Sequence, residues 1–316
     1  MALVQKLLNL VLPPVSLFIL SLALPILFIF RILNYILTSF SSENITRKVV
    51  LITGASSGIG EHLAYEYGRR GAFLVLVARR EKSLKEVAKR AAELGSPDVL
   101  VVCADVSKPE DCQRFIDEAV SHFGRLDHLI CNAGVTSGCK FEETNDITNF
   151  RPVMDVNFWG SIYPTYFAIP HLRRSKGKIV VNSSLAGSFP TPMLSLYGAS
   201  KAAMENFYET LRVELAGEVK VTTVTPGFID TEMTQGKHLS KEGSVKVEQE
   251  WKNTIIGAMP VMSAGACAKA IVNGACRGDR YLTVPSWYRV AFPFQFFCAE
   301  LVAFWSRMDS RSTYNS

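Results

Sequence analysis

The sequence predicts an α/β fold built on a doubly wound parallel sheet, with an apolar segment ahead of it. Two patterns carry this prediction. Short β-branched runs alternate with amphipathic stretches of helical length, and the first run leads directly into a glycine-rich turn. Uniformly apolar strands are typical of a sheet covered on both faces. We expect one domain over residues 41–285, between an N-terminal segment, 1–40, and an aromatic tail, 286–316.

The N-terminal segment carries no charge from Leu7 to Phe30, which is long enough to cross a bilayer as a helix. Pro13, Pro14 and Pro25 interrupt it, and an interior proline kinks or breaks a helix. Two alternatives follow: a single kinked spanning helix, or a shallow hairpin that turns at the prolines and dips into a phospholipid monolayer. A cleaved signal peptide is not expected, because the apolar stretch is too long and no small-residue cleavage site follows it.

The elements of the predicted domain follow in order. Aliphatic and β-branched runs predict strands at 48–53, 73–78, 99–103, 129–131, 178–181 and 220–224. Apolar residues at helical spacing predict helices at 61–70, 81–94, 109–123, 147–172 and 197–215. Gly71 closes the first of these helices, and Pro109 suits the start of the third. The pattern predicts at least six strands.

Composition and cysteine usage exclude several classes of function. The net charge is only +5, and no basic run is interleaved with aromatic residues, so no nucleic-acid partner is expected. The seven cysteines include no CxxC pair and no metal-ligand spacing, so we expect no metal site. Cys103 and Cys131 lie in apolar strand-like runs. Reduced thiols, and a domain that faces the cytosol, are therefore expected.

A glycine-rich turn joins the first strand to the first helix. It reads Thr53-Gly54-Ala55-Ser56-Ser57-Gly58-Ile59-Gly60. Glycines permit a tight turn and close approach of a pyrophosphate, while the helix N-terminus supplies N–H donors and partial positive charge. In this strand–turn–helix context the motif predicts a dinucleotide cofactor. Its predicted ligands in the turn are Gly54, Ser56, Ser57, Gly58, Ile59 and Gly60.

The end of the second strand distinguishes NADP from NAD. An acidic residue there would bind the adenosine ribose and repel a 2′-phosphate, but this chain has Arg79 and Arg80. Two cations favour NADP(H), with NAD as the weaker alternative. Arg79 is the first choice as phosphate ligand because it comes first after the strand. Glu81 is a candidate partner for Arg80.

Two further strand ends are predicted to reach the cofactor. Asp105 and Val106 end the third strand, where the carboxylate either accepts from the adenine amino group or caps the following helix. Asn132, Ala133 and Gly134 end the fourth strand, and small residues there allow close packing against the cofactor.

A hydroxyl, a phenol and an ammonium are predicted to meet at the same edge. Tyr197 and Lys201 are four residues apart on one helix face, and Ser184 ends the preceding strand. A neighbouring ammonium and the positive charge of an oxidised nicotinamide both lower the pKa of a phenol, which is about 10 in isolation. Tyr197 then acts as general acid or base, Lys201 also holds the nicotinamide ribose, and Ser184 orients the substrate oxygen. Asn157 is predicted to hold a water that links Lys201 to solvent.

Together these motifs resemble the short-chain dehydrogenase/reductase family, which the glycine turn, Asn132-Ala133-Gly134, Asn157, Ser184, Tyr197 and Lys201 all match. Pro226 and Gly227, followed by Thr231, match the family segment that closes over the nicotinamide. The resemblance implies an alcohol/ketone oxidoreductase with a Rossmann-type sheet of seven parallel strands. It also implies homodimers built on the helices near 147–172 and 197–215.

Within that family the chain resembles the plant steroleosins of seed oil bodies, which are similar to 11-beta-hydroxysteroid dehydrogenases. The apolar segment with its prolines, the run 48–53 and Asn157-Phe158-Trp159-Gly160 carry this resemblance. It implies a proline-knob anchor, a steroid or sterol substrate, and a lipid droplet (oil body) or endoplasmic reticulum membrane. Mammalian steroid enzymes of the family carry a lysine where this chain has Ser57, so Arg79 must contribute more to phosphate binding. A retinol, fatty-acyl or general carbonyl reductase, and a structural or sterol-binding droplet protein, are the alternatives.

Two regions carry weaker signals. The stretch 231–263 is polar and then apolar, which suits either a lid over a hydrophobic substrate or a surface excursion. The tail is rich in aromatic residues that suit a lipid interface, the closure of a pocket or a dimer contact. These are Trp287, Tyr288, Phe292, Phe294, Phe296, Phe297, Phe304 and Trp305, with Arg289 and Arg307.

Overall fold

The structure, a computed structural model, describes residues 1–40, 42–257 and 259–304. It contains two compact units, residues 1–43 and residues 44 onwards. Ser41, at the predicted domain boundary, lies outside the described residues, as do Trp305 and Arg307 of the predicted tail.

The N-terminal unit contains one helix, α1 (Ala2–Phe40), which continues through Pro13, Pro14 and Pro25. The hairpin alternative, with a turn at the prolines, is therefore wrong for residues 2–40. By length and composition, the stretch Ala2–Phe30 could cross a membrane as a helix.

The second unit is an α/β domain whose central sheet has seven parallel strands. In chain order its main elements are β1 (Val49–Thr53), α2 (Gly58–Arg69), β2 (Phe73–Ala78), α3 (Glu81–Glu93), β3 (Val99–Cys103), α4 (Pro109–Phe123), β4 (His128–Cys131), α5 (Arg151–Met154), α6 (Gly160–Ser175), β5 (Lys178–Asn182), α7 (Ser195–Glu214), β6 (Lys220–Pro226), β7 (Ile229–Asp230), β8 (Lys237–Leu239), β9 (Val245–Val247), α8 (Gln249–Ile256), β10 (Met262–Ser263), α9 (Ala264–Arg277), β11 (Tyr281–Val284) and α10 (Ala291–Phe297).

The strand order places a ligand crevice at the centre of the sheet. The order is β11-β6-β5-β4-β1-β2-β3, so the chain reverses its direction of winding between β1 and β4. In open α/β sheets, ligands bind beyond the carboxyl ends of the strands at such a switch point. The predicted doubly wound, seven-stranded Rossmann-type fold is confirmed.

Helices cover both faces of the sheet. One buried cluster joins the strands to α2, α3 and α9, and a second joins them to α4, α6 and α7. Every residue of β1 and β5 is buried, which explains the apolar runs 49–52 and 179–181 within these strands. Leu51, Ile52 and Leu74 are fully buried, and burial of such a side chain contributes about 1.5–3 kcal/mol.

The predicted long helix over 147–172 is wrong as a single element. The segment starts as a 3₁₀ turn at Ile147–Phe150, passes through α5, and becomes π-helical over Asp155–Trp159 before α6 begins. Asp146 accepts a hydrogen bond from the Thr148 N–H and so caps the first turn. The π-helical segment contains Asn157, whose contacts with the active site are described below.

Candidate active site

The glycine turn has the close backbone packing that a dinucleotide site requires. Gly54 and Gly58 adopt positive φ angles of +65° and +59°, which favour glycine. A Cβ added at Gly60 would lie 2.3 Å from the Gly54 carbonyl oxygen. Only a side-chain-free turn fits, and it leads directly into the N-terminus of α2. Ile59, also predicted here, packs partly buried against the core.

The end of β4 is tied to this turn. Asn132 donates from Nδ2 to the Thr53 carbonyl oxygen at 3.0 Å, and the Asn132 and Ala133 amides donate to Thr53 Oγ1. A Cβ at Gly54 would lie 2.7 Å from Ala133 Cα, so the two loops are in van der Waals contact. Asn182, at the end of β5, donates to Asn132 Oδ1 at 2.9 Å. Three adjacent strands therefore present their carboxyl ends as one surface.

The three residues predicted to act on the substrate lie together. Ser184 follows β5 and is hydrogen-bonded to Tyr197, in the first turn of α7. Lys201 is one helical turn further on, with its Nζ 5.7 Å from the centroid of the Tyr197 ring. Lys201 Nζ donates to the Asn182 carbonyl oxygen at 2.9 Å. Hydroxyl, phenol and ammonium thus converge beside the glycine turn.

Burial controls the protonation of this group. It raises the pKa of Tyr197 above its ordinary value, and the hydrogen bond with Ser184 opposes the rise. The prediction that Lys201 and an oxidised nicotinamide together lower this pKa stays a prediction for the cofactor complex, whereas burial sets the direction of the shift in the protein itself. Burial also lowers the pKa of Lys201 to about 8, against the opposing charge of Glu205.

Asn157 is completely buried and joins the π-helical segment to the β4 loop. Its Oδ1 accepts from the Val135 amide at 2.8 Å, and its Nδ2 donates to the Val135 carbonyl oxygen and to Ser200 Oγ, both at 2.9 Å. Both amide hydrogens are thus used within the protein. A Cβ at Gly134 would lie 3.3 Å from Asn157 Oδ1 and 3.7 Å from Lys201 Nζ, so Asn157 borders the catalytic group.

The two arginines after β2 have different surroundings. Arg80 donates to Ser57 Oγ at 2.5 Å and to Ser56 Oγ at 3.3 Å, so its guanidinium lies on the glycine turn. Arg79 is more exposed and lies 3.6 Å from the Asp105 carboxylate. The predicted Glu81 partner for Arg80 is wrong, because Glu81 pairs with Lys85. Arg80 instead pairs with Glu232, at 2.8 Å.

The remaining predicted cofactor residues surround the same crevice. Asp105 accepts from the amide and hydroxyl of Ser107, which makes it the cap of a local turn rather than of the α4 N-terminus. Val106 is buried against Gly160. Pro226 ends β6, and Thr231 Cγ2 lies 3.1 Å from where a Cβ of Gly58 would be.

The first part of the predicted tail belongs to the domain. A Cβ at Gly227 would lie 2.2 Å from the ring of Tyr288, which is itself buried. Phe292 makes an edge-on ring contact with Phe189, which lies between Ser184 and Tyr197. Further along, Phe294, Phe296 and Phe297 are exposed.

A separate apolar cluster borders Tyr197. Its buried members, besides Tyr197 itself, are Cys139, Phe150, Val153, Leu194, Leu239 and Trp251. Trp251 comes from α8, within the stretch predicted to be either a lid or a surface excursion, and Ile255 of the same helix packs on the cluster. The α8 part of that stretch therefore packs beside Tyr197, whereas Met259 and Val261 are exposed.

Two carboxylates at the site were not predicted. Glu205, one turn after Lys201 on α7, accepts from Ser183 Oγ at 2.6 Å and from Ser188 Oγ at 3.3 Å, and burial raises its pKa. Glu205 therefore hydrogen-bonds to residues on both sides of Ser184. Glu232 adjoins Thr231 and bonds to Arg80. The only sequence signal for either residue is its position next to a motif, because both act through tertiary contacts.

Known proteins match the chain over most of its length. The family described as short chain dehydrogenase matches residues 48–242. A protein of Arachis hypogaea named 11-beta-hydroxysteroid dehydrogenase A is 53% identical over 308 residues, covering 98% of this chain and 88% of that protein. An Arabidopsis thaliana protein named 11-beta-hydroxysteroid dehydrogenase-like 4A is 49% identical, covering 94% of this chain and 96% of that protein.

Solved structures agree with the fold. A short chain dehydrogenase/reductase from Burkholderia phymatum in complex with NAD has a TM-score of 0.72 at 24% identity, covering 82% of this chain and 96% of that one. An alcohol dehydrogenase from Thermococcus sibiricus complexed with 5-hydroxy-NADP has a TM-score of 0.62 at 25% identity, covering 75% of this chain and 95% of that one. By the family match and the identity to its plant relatives, this chain belongs to the short-chain dehydrogenase/reductase family of oxidoreductases.

Proposed function

We propose that the chain is an NADP(H)-dependent dehydrogenase/reductase that interconverts a secondary alcohol and a ketone on a steroid or sterol. The observation that carries the proposal is the convergence of Ser184, Tyr197 and Lys201 between the glycine turn and an apolar cluster. This arrangement offers a proton donor and a charged anchor next to a dinucleotide cradle. Its other side is a wall that suits a hydrophobic ring system.

The phenol of Tyr197 transfers the proton. Its raised pKa keeps the hydroxyl protonated at neutral pH, so Tyr197 donates its proton to the ketone oxygen during reduction. Oxidation uses the phenolate, which accepts the proton of the alcohol. Ser184, bonded to Tyr197, orients the same oxygen. The nicotinamide, when bound, supplies or accepts the hydride.

Lys201 and Asn157 organise the other side of the site. Lys201 Nζ keeps donors in excess of its one bond to the Asn182 carbonyl, and these suit the hydroxyls of the nicotinamide ribose. Asn157 has both amide hydrogens occupied, which leaves one lone pair of Oδ1 for a water on the path from Lys201 to solvent. Its main action is to position the β4 loop.

The residues present fit NADP(H). Gly54, Gly58 and Gly60 form a turn that side chains would block, at the N-terminus of a helix where a pyrophosphate is favoured. Arg79 and Arg80 supply two cations after β2 and no acid follows the strand directly, which favours a 2′-phosphate over a free ribose hydroxyl. The other proposed cofactor contacts are Ser56, Ser57, Ile59, Asp105, Val106, Asn132, Ala133, Gly134, Tyr197, Lys201, Pro226, Gly227 and Thr231.

The names of the relatives support the proposed steroid substrate. Features of the chain itself support the proposed membrane location and the proposed homodimer. Relatives about half identical to this chain carry the name 11-beta-hydroxysteroid dehydrogenase, which supports a steroid-type substrate. The apolar α1 supports attachment to a lipid droplet or endoplasmic reticulum membrane, with the catalytic domain in the cytosol. Exposed Trp159, Tyr166 and Val213 beside or on α6 and α7 support a homodimer through these helices.

The proposal is tested by initial rates on a steroid alcohol and ketone panel with NADP(H) and with NAD(H). Tyr197→Phe should lower the rate by at least about 100-fold, the usual contribution of general acid–base catalysis, while nucleotide binding persists. Tyr281→Phe is the matched control, because it removes an exposed phenol hydroxyl from the edge strand β11. Wild-type rates in Tyr197→Phe, or no turnover of any steroid by the wild type, would contradict the proposal.

A further inference from the structure

Glu232 connects the two sides of the cofactor crevice. Its Oε1 accepts from Arg80 Nη1 at 2.8 Å, and its Oε2 accepts from Lys237 Nζ at 2.8 Å and from Ser57 Oγ at 3.4 Å. The hydrogen bond with Arg80 is the largest cause that lowers the pKa of Glu232, to about 2. The carboxylate is therefore ionised throughout the physiological pH range.

Arg80 is placed on the glycine turn as a candidate ligand for the 2′-phosphate. Besides Glu232, its guanidinium contacts Ser57 and Ser56 in the glycine turn, just before the N-terminus of α2. A guanidinium offers donors in a planar fork that suits a phosphate, and the two serine hydroxyls lie beside it. The Glu232 carboxylate is thus bonded to the same guanidinium that a 2′-phosphate would use.

We propose that Glu232 is a specificity-determining residue that moderates the preference for NADP over NAD by competing with the 2′-phosphate for Arg80. The inference rests on the proposed use of NADP(H). The phosphate must either displace the carboxylate from Arg80 or share the guanidinium with a second negative charge a few ångströms away, and both cost affinity. NAD carries no 2′-phosphate, so its binding does not encounter this competition.

The expected change in NADP affinity follows from the solvent exposure of the Arg80–Glu232 ion pair. The side chains of Arg80 and Glu232 are 42% and 45% exposed, so solvent screens the pair. Exposed ion pairs of this kind change an equilibrium by about two- to fivefold. Glu232→Gln keeps the shape of the side chain and removes its charge. It should tighten NADP by that factor and leave NAD unchanged.

The experiment measures dissociation constants on the detergent-solubilised full chain for NADP, NAD, 2′,5′-ADP and 5′-AMP. The two fragments lack the nicotinamide, so their binding reports on Arg80 and Glu232 without any contact to the nicotinamide. Glu232→Gln should tighten NADP and 2′,5′-ADP and leave NAD and 5′-AMP unchanged. In an Arg80→Met background the same substitution should have no effect on any of the four.

Glu81→Gln is the matched control. It removes one negative charge adjacent to Arg80 in sequence, from a carboxylate paired with Lys85 instead. Equal shifts for NADP and NAD in Glu232→Gln, weaker NADP binding, or the same gain in Glu81→Gln would overturn the role of Glu232. A wild type that binds NAD better than NADP would contradict the proposed cofactor, while the 2′,5′-ADP comparison would still report separately on Glu232.

Discussion

Removing the side chain of Asn157 tests whether the π-helical segment is what holds the β4 loop. Asn157→Ala leaves the Val135 amide and carbonyl without their partners, while Ser200 Oγ retains its bond to the Tyr197 carbonyl oxygen. Each polar group left unsatisfied costs about 1–3 kcal/mol when buried. Val135 is only partly buried, so we expect a loss of about 2–4 kcal/mol in the free energy of unfolding.

Thermal unfolding of the detergent-solubilised full chain measures this loss. For a domain of this size, a loss of 2–4 kcal/mol lowers the Tm by about 4–16 °C. The control is Asn149→Ala, which removes a single hydrogen bond to the exposed Lys241 carbonyl. If the Tm of Asn157→Ala stays within about 2 °C of this control, Asn157 does not hold the loop. Catalytic efficiency should fall as well, because Val135 directly follows Gly134.

Two further predictions concern pH and location. Oxidation requires the Tyr197 phenolate, and because burial raises the pKa of the phenol, kcat/KM for alcohol oxidation should climb from pH 7 to pH 9. Ketone reduction requires the protonated phenol and the Lys201 ammonium, whose pKa is about 8, so its kcat/KM should hold below pH 8 and fall above it; profiles of the same shape in both directions would contradict these assignments. Removal of residues 1–40 should release the protein from floated lipid droplets and leave a folded domain, because residues 44 onwards form their own compact unit. Retention in the floating fraction would instead assign the attachment to the exposed aromatic residues around Phe296 and Phe297.

Elements that depend on burial alone could be predicted from the sequence. Each of the strands β1 to β6 contains a short run of apolar or β-branched residues, because helices cover both faces of the sheet. The break within 147–172 could not be predicted in this way. It accompanies the hydrogen bonds of Asn157 to Val135, a contact across 22 residues that helical spacing does not report. The edge strand β11 was not predicted from its own residues; it is defined by its parallel pairing with β6.

The catalytic motif could be located from sequence because its spacing is local, with Tyr197 and Lys201 one helical turn apart. The pKa of Tyr197 could not be predicted from sequence, because it depends on how deeply tertiary packing buries the phenol. The same distinction between local and long-range information applies to the residues proposed to bind the 2′-phosphate. Two arginines after β2 indicate the class of nucleotide, but the guanidinium of Arg80 is shared with Glu232, 152 residues away. Local sequence therefore predicts which chemical groups are present, and the long-range partner determines how strongly each group binds.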